Sequence, residues 1–155
     1  MLQQEEQHLV SDEFCIDVYI NGVSEKLISE CSAEVGIFLR SIQAHRRGNL
    51  KRALNMGLRF HQYQKALPEN YLVVLLDCAR KIDRLADLFD VFMDFAYAQI
   101  ELGNLDKALH YMRLPFAFPR AGKHIYNIDK MSKTSEKLGE LSKSLKNQYS
   151  FKRPH

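Results

Sequence analysis

Acidic residues at helical spacing are the first candidates for chemistry in this sequence. Asp83, Asp87, Asp90 and Asp94 recur at i, i+4, i+7 and i+11, which places them along one line of a helix. Carboxylates on facing helices build the di-metal sites of helical bundles, but those sites also take a Glu-x-x-His motif from each of two helices. The sequence has no such pair of motifs. We therefore interpret the line as the solvated edge of a buried helix, and we expect no metal and no other cofactor.

The histidines form no catalytic pattern. None belongs to an HExxH or H-x-x-x-H pair, and the chain contains no GxSxG, no GxGxxG and no glycine-rich phosphate loop. His61, beside Phe60 and Tyr63, is interpreted as a surface or half-buried histidine of a helix. These absences favour a protein that is not an enzyme.

Cysteine usage and hydropathy predict the cellular compartment of the protein. Cys15, Cys31 and Cys78 are widely spaced and odd in number, which favours reduced thiols over a disulfide framework or a zinc site. The sequence contains no run of 18 apolar residues, the length that a helix needs to span a bilayer. The N-terminus is acidic and lacks the basic start and apolar core of a secretory signal. We expect a cytoplasmic protein with no membrane partner.

Charge is distributed unevenly along the chain. Residues 1–34 carry eight acids and one lysine (−7), residues 35–119 twelve bases and eight acids (+4), and residues 120–155 nine bases and three acids (+6). One interpretation is that the oppositely charged ends attract each other in the fold; the other is that one end contacts a partner of opposite charge. The bases around the first Gly-Asn pair form a candidate basic patch of Arg40, Arg46, Arg47, Lys51 and Arg52.

Most of the chain has a helical hydrophobic period, and one stretch does not. Residues 14–23 alternate like a strand and end at Asn21-Gly22, a favoured hairpin turn, while residues 24–30 suit a helix equally well. A short N-terminal β-hairpin and a helix both remain open for residues 14–28.

The helices are separated by glycine, asparagine and proline. Apolar residues recur on one face from Ser32 onwards, Gly48-Asn49 predicts a tight turn into a second helix, and Pro68 predicts the start of a third that runs to about Lys81. Residues 84–102 predict a helix buried on most of its circumference, and Gly103-Asn104 repeats the earlier turn. The fold class is all-α, built from antiparallel helical hairpins. We expect a flexible segment at 1–13, one helical domain over 14–149 with a C-terminal helix at about 125–148, and a flexible tail at 150–155.

Two segments of the chain are near copies: GNLKRAL at residues 48–54 and GNLDKAL at residues 103–109. This string resembles the centre of a tetratricopeptide repeat (TPR), in which glycine closes the first helix and a small alanine lets the second helix pack closely. Phe92, Phe95 and Ala96 extend the resemblance into the first helix of the second copy. The copies lie 55 residues apart, which does not fit a 34-residue period. The resemblance is therefore to an irregular TPR-like array over about 33–118, with a generic helical bundle as the alternative.

The resemblance implies a face that binds another polypeptide. The inward positions of the second copy would be Asp90, Met93, Tyr97, Ile100 and Glu101, a mixture of apolar and acidic side chains that suits an amphipathic or basic segment. Small helical proteins of this size also resemble bacterial secretion chaperones and assembly factors, including those of type III systems. We expect an adaptor or chaperone that binds a partner protein.

Two other kinds of partner remain open. The basic patch favours, as the alternative function, a small helical nucleic-acid-binding protein. The apolar Phe116 and Phe118 and the leucine stripe of the last helix, which includes Leu138, would allow a homodimer.

Overall fold

A computed structural model describes residues 9–114 and 132–143, and all regular structure within them is helical. The predicted all-α fold of antiparallel helical hairpins is therefore confirmed. The helices are α1 (Asp12–Asn21), α2 (Glu25–Glu30), α3 (Ala33–Arg46), α4 (Leu50–His61), α5 (Glu69–Lys81), a 3₁₀ helix (Leu85–Leu88), α6 (Phe89–Glu101), α7 (Leu105–Arg113) and α8, described over 132–143. Phe116 and Phe118, the tail at 150–155 and the outer parts of the predicted C-terminal helix lie outside the described residues.

The stretch with strand-like alternation is helical, so the β-hairpin alternative is wrong. Ser11 caps α1 by accepting a hydrogen bond from the Phe14 amide at 3.1 Å. Cys15 and Val18 then bury one side of the helix at i and i+3. Gly22, at φ 87°, ends α1 instead of turning a hairpin, and Ser24 caps the short α2.

The segment before α1 packs into the protein. The Val10 amide donates to Gln64 Oε1 at 2.8 Å, and Gln64 Nε2 donates to the Val10 carbonyl at 2.9 Å. Both residues are buried, with Val10 only 1% exposed. Residues 1–8 of the predicted flexible segment lie outside the described residues, whereas residues 9–11 lead directly into α1 and residues 12 and 13 form its first turn.

Helices α3, α4 and α5 form an up-down-up unit with an aromatic centre. The ring of Phe38 in α3 meets the ring of Tyr71 in α5 edge to face, with 4.8 Å between the ring centroids. The centroid of Phe38 lies 5.6 Å from that of Phe60 in α4. The buried Ser41 hydroxyl donates to the Ala53 carbonyl at 2.7 Å and accepts from the Tyr71 hydroxyl at 2.6 Å. One polar chain therefore links all three helices inside the core.

The approach of α4 to α5 is close at Gly57. A Cβ at this position would lie 2.4 Å from Leu75 Cδ2 and 2.9 Å from the Tyr71 hydroxyl. Only glycine therefore fits without moving α5.

A second antiparallel pair, α6 and α7, packs beside this unit. Tyr111 of α7 meets Phe95 of α6 at 4.8 Å and donates its hydroxyl to Glu69 of α5 at 2.9 Å. His61 Nε2 of α4 lies 2.7 Å from Asp94 Oδ2 of α6. The predicted helix over 84–102 is divided by the structure into the 3₁₀ helix and α6, after Asp83 takes a positive φ of 61°.

Gly57→Ala should destabilise the protein by about 1–3 kcal/mol, because the added methyl overpacks the α4–α5 contact. Gly36→Ala is the matched control: its Cβ would meet only Ile28 Cγ2 at 3.7 Å, an ordinary contact. Alanine there should leave stability unchanged or raise it by up to about 1 kcal/mol. Urea unfolding of both variants measures the difference, and equal stabilities would contradict the close approach.

Candidate helix-binding face

The five residues predicted to line a partner-binding face all lie on α6, at different depths. Met93 and Ile100 are buried, at 1% and 3% exposure. Tyr97 is half-buried, and Asp90 and Glu101 are exposed. We call the side of α6 formed by Met93, Tyr97, Ile100 and Glu101 the α6 face.

Helix α8 lies against the α6 face. Lys137 Nζ of α8 lies 3.7 Å from Glu101 Oε2 and 5.8 Å from the centroid of the Tyr97 ring. Ile100 and Glu101 line one cleft together with Lys137, Glu140 and Leu141. The chain's own C-terminal region therefore occupies part of the surface on which the sequence predicted a partner.

The contact of α8 combines apolar packing with one exposed charge contact. Leu138 and Leu141 are partly buried against the core, and Thr134 is 1% exposed. Burial of apolar area supplies the main favourable term, at about 25 cal/mol per Å². The Lys137–Glu101 pair is 36% and 54% exposed, so it contributes at most about 1 kcal/mol. The Lys137–Glu101 pair therefore contributes more to the preference for a basic residue at this point of the helix than to the strength of the contact.

The aspartate line is only partly a solvated edge. Asp83, Asp87 and Asp90 are exposed, and Asp87 accepts from Arg84 Nε at 2.7 Å. Asp94 departs from the prediction: its side chain is 17% exposed and lies against the buried His61. Within residues 9–114 and 132–143, no group of three or more His, Cys, Asp or Glu side chains could hold a metal ion.

The predicted basic patch divides into engaged and free residues. Arg40 pairs with Glu25 at 3.3 Å, and Arg46 donates to the Tyr19 carbonyl and lies over the Tyr19 ring. The remaining members, Arg47, Lys51 and Arg52, are exposed, and none forms an ion pair with the described residues.

The free bases belong to a longer basic surface. Residues 35–68, which cover α4 and all of α3 except its first two residues, contain seven Lys or Arg and no Asp or Glu. Arg59 is exposed on α4, and Tyr63, just beyond its end, is 47% exposed. The α3–α4 hairpin therefore presents positive charge, with Glu34 in the first turn of α3 as its one acid.

A polar cluster that the sequence did not predict joins three helices. His45 of α3 hydrogen-bonds through Nδ1 to the Tyr19 hydroxyl of α1, and its Nε2 lies 2.9 Å from Asp77 Oδ2 of α5. Burial raises the pKa of Tyr19. The hydrogen bond from His45 lowers the pKa of Asp77, and Lys81 at 3.1 Å acts in the same direction. The partners are 26 and 32 residues from His45 in the chain, so no local motif marks the cluster.

The three cysteines are free thiols. Burial raises the pKa of Cys15 to about 12 and that of Cys78 to about 11. Both stay protonated at neutral pH, in keeping with packing and not with nucleophilic chemistry.

Comparison with models of protein families, with curated proteins and with solved structures finds no match for this chain. Among the described residues, no helix combines the length and the apolar character needed to cross a membrane.

Asp77→Asn should weaken the acid dependence of stability. A carboxyl whose folded pKa lies below its usual 3.8 stabilises the fold above that pH, and this contribution is lost as the pH falls further. Because the Asp77 side chain is 38% exposed, the loss at neutral pH should stay below about 1 kcal/mol. Melting curves at pH 7 and pH 3 measure it, with the exposed Glu30→Gln as control; an unchanged pH profile would contradict the assignment.

Proposed function

We propose that this chain is a non-enzymatic protein-binding module whose α6 face binds an amphipathic helix of a partner polypeptide. The observation that carries the proposal is the seating of α8 on that face. A surface that accepts a helix from its own chain has the width, apolar floor and acidic rim to accept one of similar chemistry from elsewhere. The resemblance of residues 33–118 to an irregular TPR-like array points the same way, because such arrays bind peptides with the first helices of their pairs.

The chemistry of the ligand follows from the contacts of α8. It would carry apolar residues three apart, like Leu138 and Leu141, and a lysine or arginine close to Glu101. Exposed Asp90, at the other end of α6, extends the preference for a basic segment. A module of this kind serves as an adaptor, or as a chaperone or assembly factor, including the bacterial secretion type, that covers an apolar helix until assembly. The free thiols suit a cytoplasmic setting.

Occupation of the face by α8 would set the affinity for a partner. A tethered segment competes at an effective concentration on the order of millimolar. The apparent affinity for a partner equals the intrinsic affinity multiplied by the fraction of molecules in which α8 is displaced. Loosening α8 should therefore tighten partner binding.

The experiment uses a fluorescein-labelled peptide of residues 130–145 and the full-length chain. Leu138→Asp with Leu141→Asp removes the apolar contacts of α8, so this variant should bind the peptide at least tenfold more tightly than the wild type. Adding Glu101→Lys to the opened variant should weaken binding again by repelling Lys137 of the peptide. Fluorescence anisotropy measures all three.

Lys133→Glu is the matched control, because Lys133 is exposed on the same helix and forms no ion pair with the described residues. It should bind the peptide like the wild type. Failure of the opened, folded variant to bind the peptide at any concentration would overturn the proposal.

A second candidate function, nucleic-acid binding, is favoured by one observation: residues 35–68, which include most of the α3–α4 hairpin, carry seven bases without an acid. Lys51, Arg52 and Arg59 are exposed on α4, with Tyr63 available to stack on a base. A labelled single-stranded RNA should then bind at 50 mM salt and be lost steeply by 200 mM. Arg52→Glu with Arg59→Glu should abolish binding, and no binding by the wild type at 50 mM salt would eliminate this function.

A further inference from the structure

Three large apolar side chains are exposed on α1 and α5. Ile16 and Ile20, one turn apart on α1, are 44% and 72% exposed, and Val73 of α5 is 57% exposed. Between the two helices lies an open cleft of about 270 Å³ lined by Cys15, Ile16, Tyr19, Ile20, Asn70 and Val74. We call this surface the α1/α5 face. It shares no residue with the α6 face.

Helices α1 and α5 run parallel, so the α1/α5 face has two distinct ends. At the N-terminal end, the Asn70 amide donates to Asp12 Oδ1 at 3.1 Å. At the C-terminal end, Tyr19 reaches Asp77 through His45. Each end of α1 is therefore tied to the corresponding end of α5.

The two ends carry opposite charge. At the N-terminal end, Asp12 and Glu13 are exposed in the first turn of α1, a helix that has no basic residue. At the C-terminal end, the Arg46 guanidinium lies 5.7 Å from the Tyr19 ring centroid, and Lys81 is 63% exposed. The local acid, Asp77, is already bonded to His45 and Lys81. An apolar centre thus lies between an acidic and a basic end.

We propose that the α1/α5 face is the interface of a homodimer in which the two copies pack antiparallel about a two-fold axis. Such an axis, perpendicular to α1, sets the acidic end of each copy against the basic end of the other and buries Ile16, Ile20 and Val73 in the centre. A two-fold interface makes every contact twice, so one charge pair in the sequence becomes two in the assembly. The parallel arrangement would set acid against acid.

A second copy fits this surface better than a unipolar partner does. A segment that is only basic would meet Arg46 and Lys81 at one end, and an acidic one would meet Asp12 and Glu13 at the other. A second copy carries the same apolar centre, and in the antiparallel arrangement its basic end faces the acidic end of the first copy. This interface differs from the one expected from the sequence at Phe116, Phe118 and Leu138.

Sedimentation of the full chain over a wide concentration range tests the proposal. The fraction of wild-type chains in the dimer should rise with protein concentration and fall as salt screens the charged ends. Ile20→Lys should weaken association at least tenfold. The matched control is Leu102→Lys, because Leu102 is 71% exposed but lies at the end of α6, outside the face. Melting curves verify that both variants fold.

A charge exchange separates a second copy from any other occupant. Asp12→Asn with Glu13→Lys makes both ends basic while keeping an acceptor for the Asn70 amide, and Lys81→Glu in a separate chain makes its basic end more acidic. Each variant alone should dimerise more weakly than the wild type, and an equimolar mixture should form a heterodimer. A wild type that stays monomeric throughout, equal behaviour of Ile20→Lys and Leu102→Lys, or a mixture that does not associate would each overturn the proposal.

Discussion

The packing of α4 against α5 depends on the missing side chain at Gly57. Because the nearest α5 atoms, on Leu75 and Tyr71, lie within 3 Å of where a Cβ would stand, the helices approach far more closely than two side-chain-bearing surfaces could. That approach brings the Tyr71 hydroxyl to Ser41 and its ring to Phe38. The buried hydroxyls are therefore satisfied within the core, where an unsatisfied polar group would cost about 1–3 kcal/mol.

The position of the α6 face follows from this unit. The buried His61 of α4 contacts Asp94, and Glu69 of α5 accepts from Tyr111 while pairing with Lys107 at 2.8 Å. The first contact holds α6 against α4, and the other two hold α7 against α5. With its other sides packed against α7 and the three-helix unit, α6 offers the remaining side to α8. The same constraint that closes the core thus determines which surface is left to bind a helix.

Local signals in the sequence predicted the helical hairpins, because glycine and asparagine at 48–49 and proline at 68 act within a few residues of where they stand. The strand-like alternation at 14–23 was misleading, since Val18 fits that alternation and also shares a helical face with Cys15, three residues earlier. The serine caps at Ser11 and Ser24 favour the helices. The contacts of His45 and Asp94 join residues more than 25 positions away, and no pattern along one helix can reveal them. The residues of the α6 face were identified through a resemblance, whereas the segment that covers them became visible only in three dimensions.

If the α6 face binds a helix, as we propose, then α8 occupies that face within the same molecule. A carbodiimide joins a carboxylate to an amine only where the two are in contact, so it records the Lys137–Glu101 pair covalently. Mass spectrometry of the digested monomer should find this cross-link in the wild type, and its yield should fall when an unlabelled peptide of residues 130–145 is added in excess. Absence of the cross-link from the monomer, or a yield that the peptide leaves unchanged, would contradict the account.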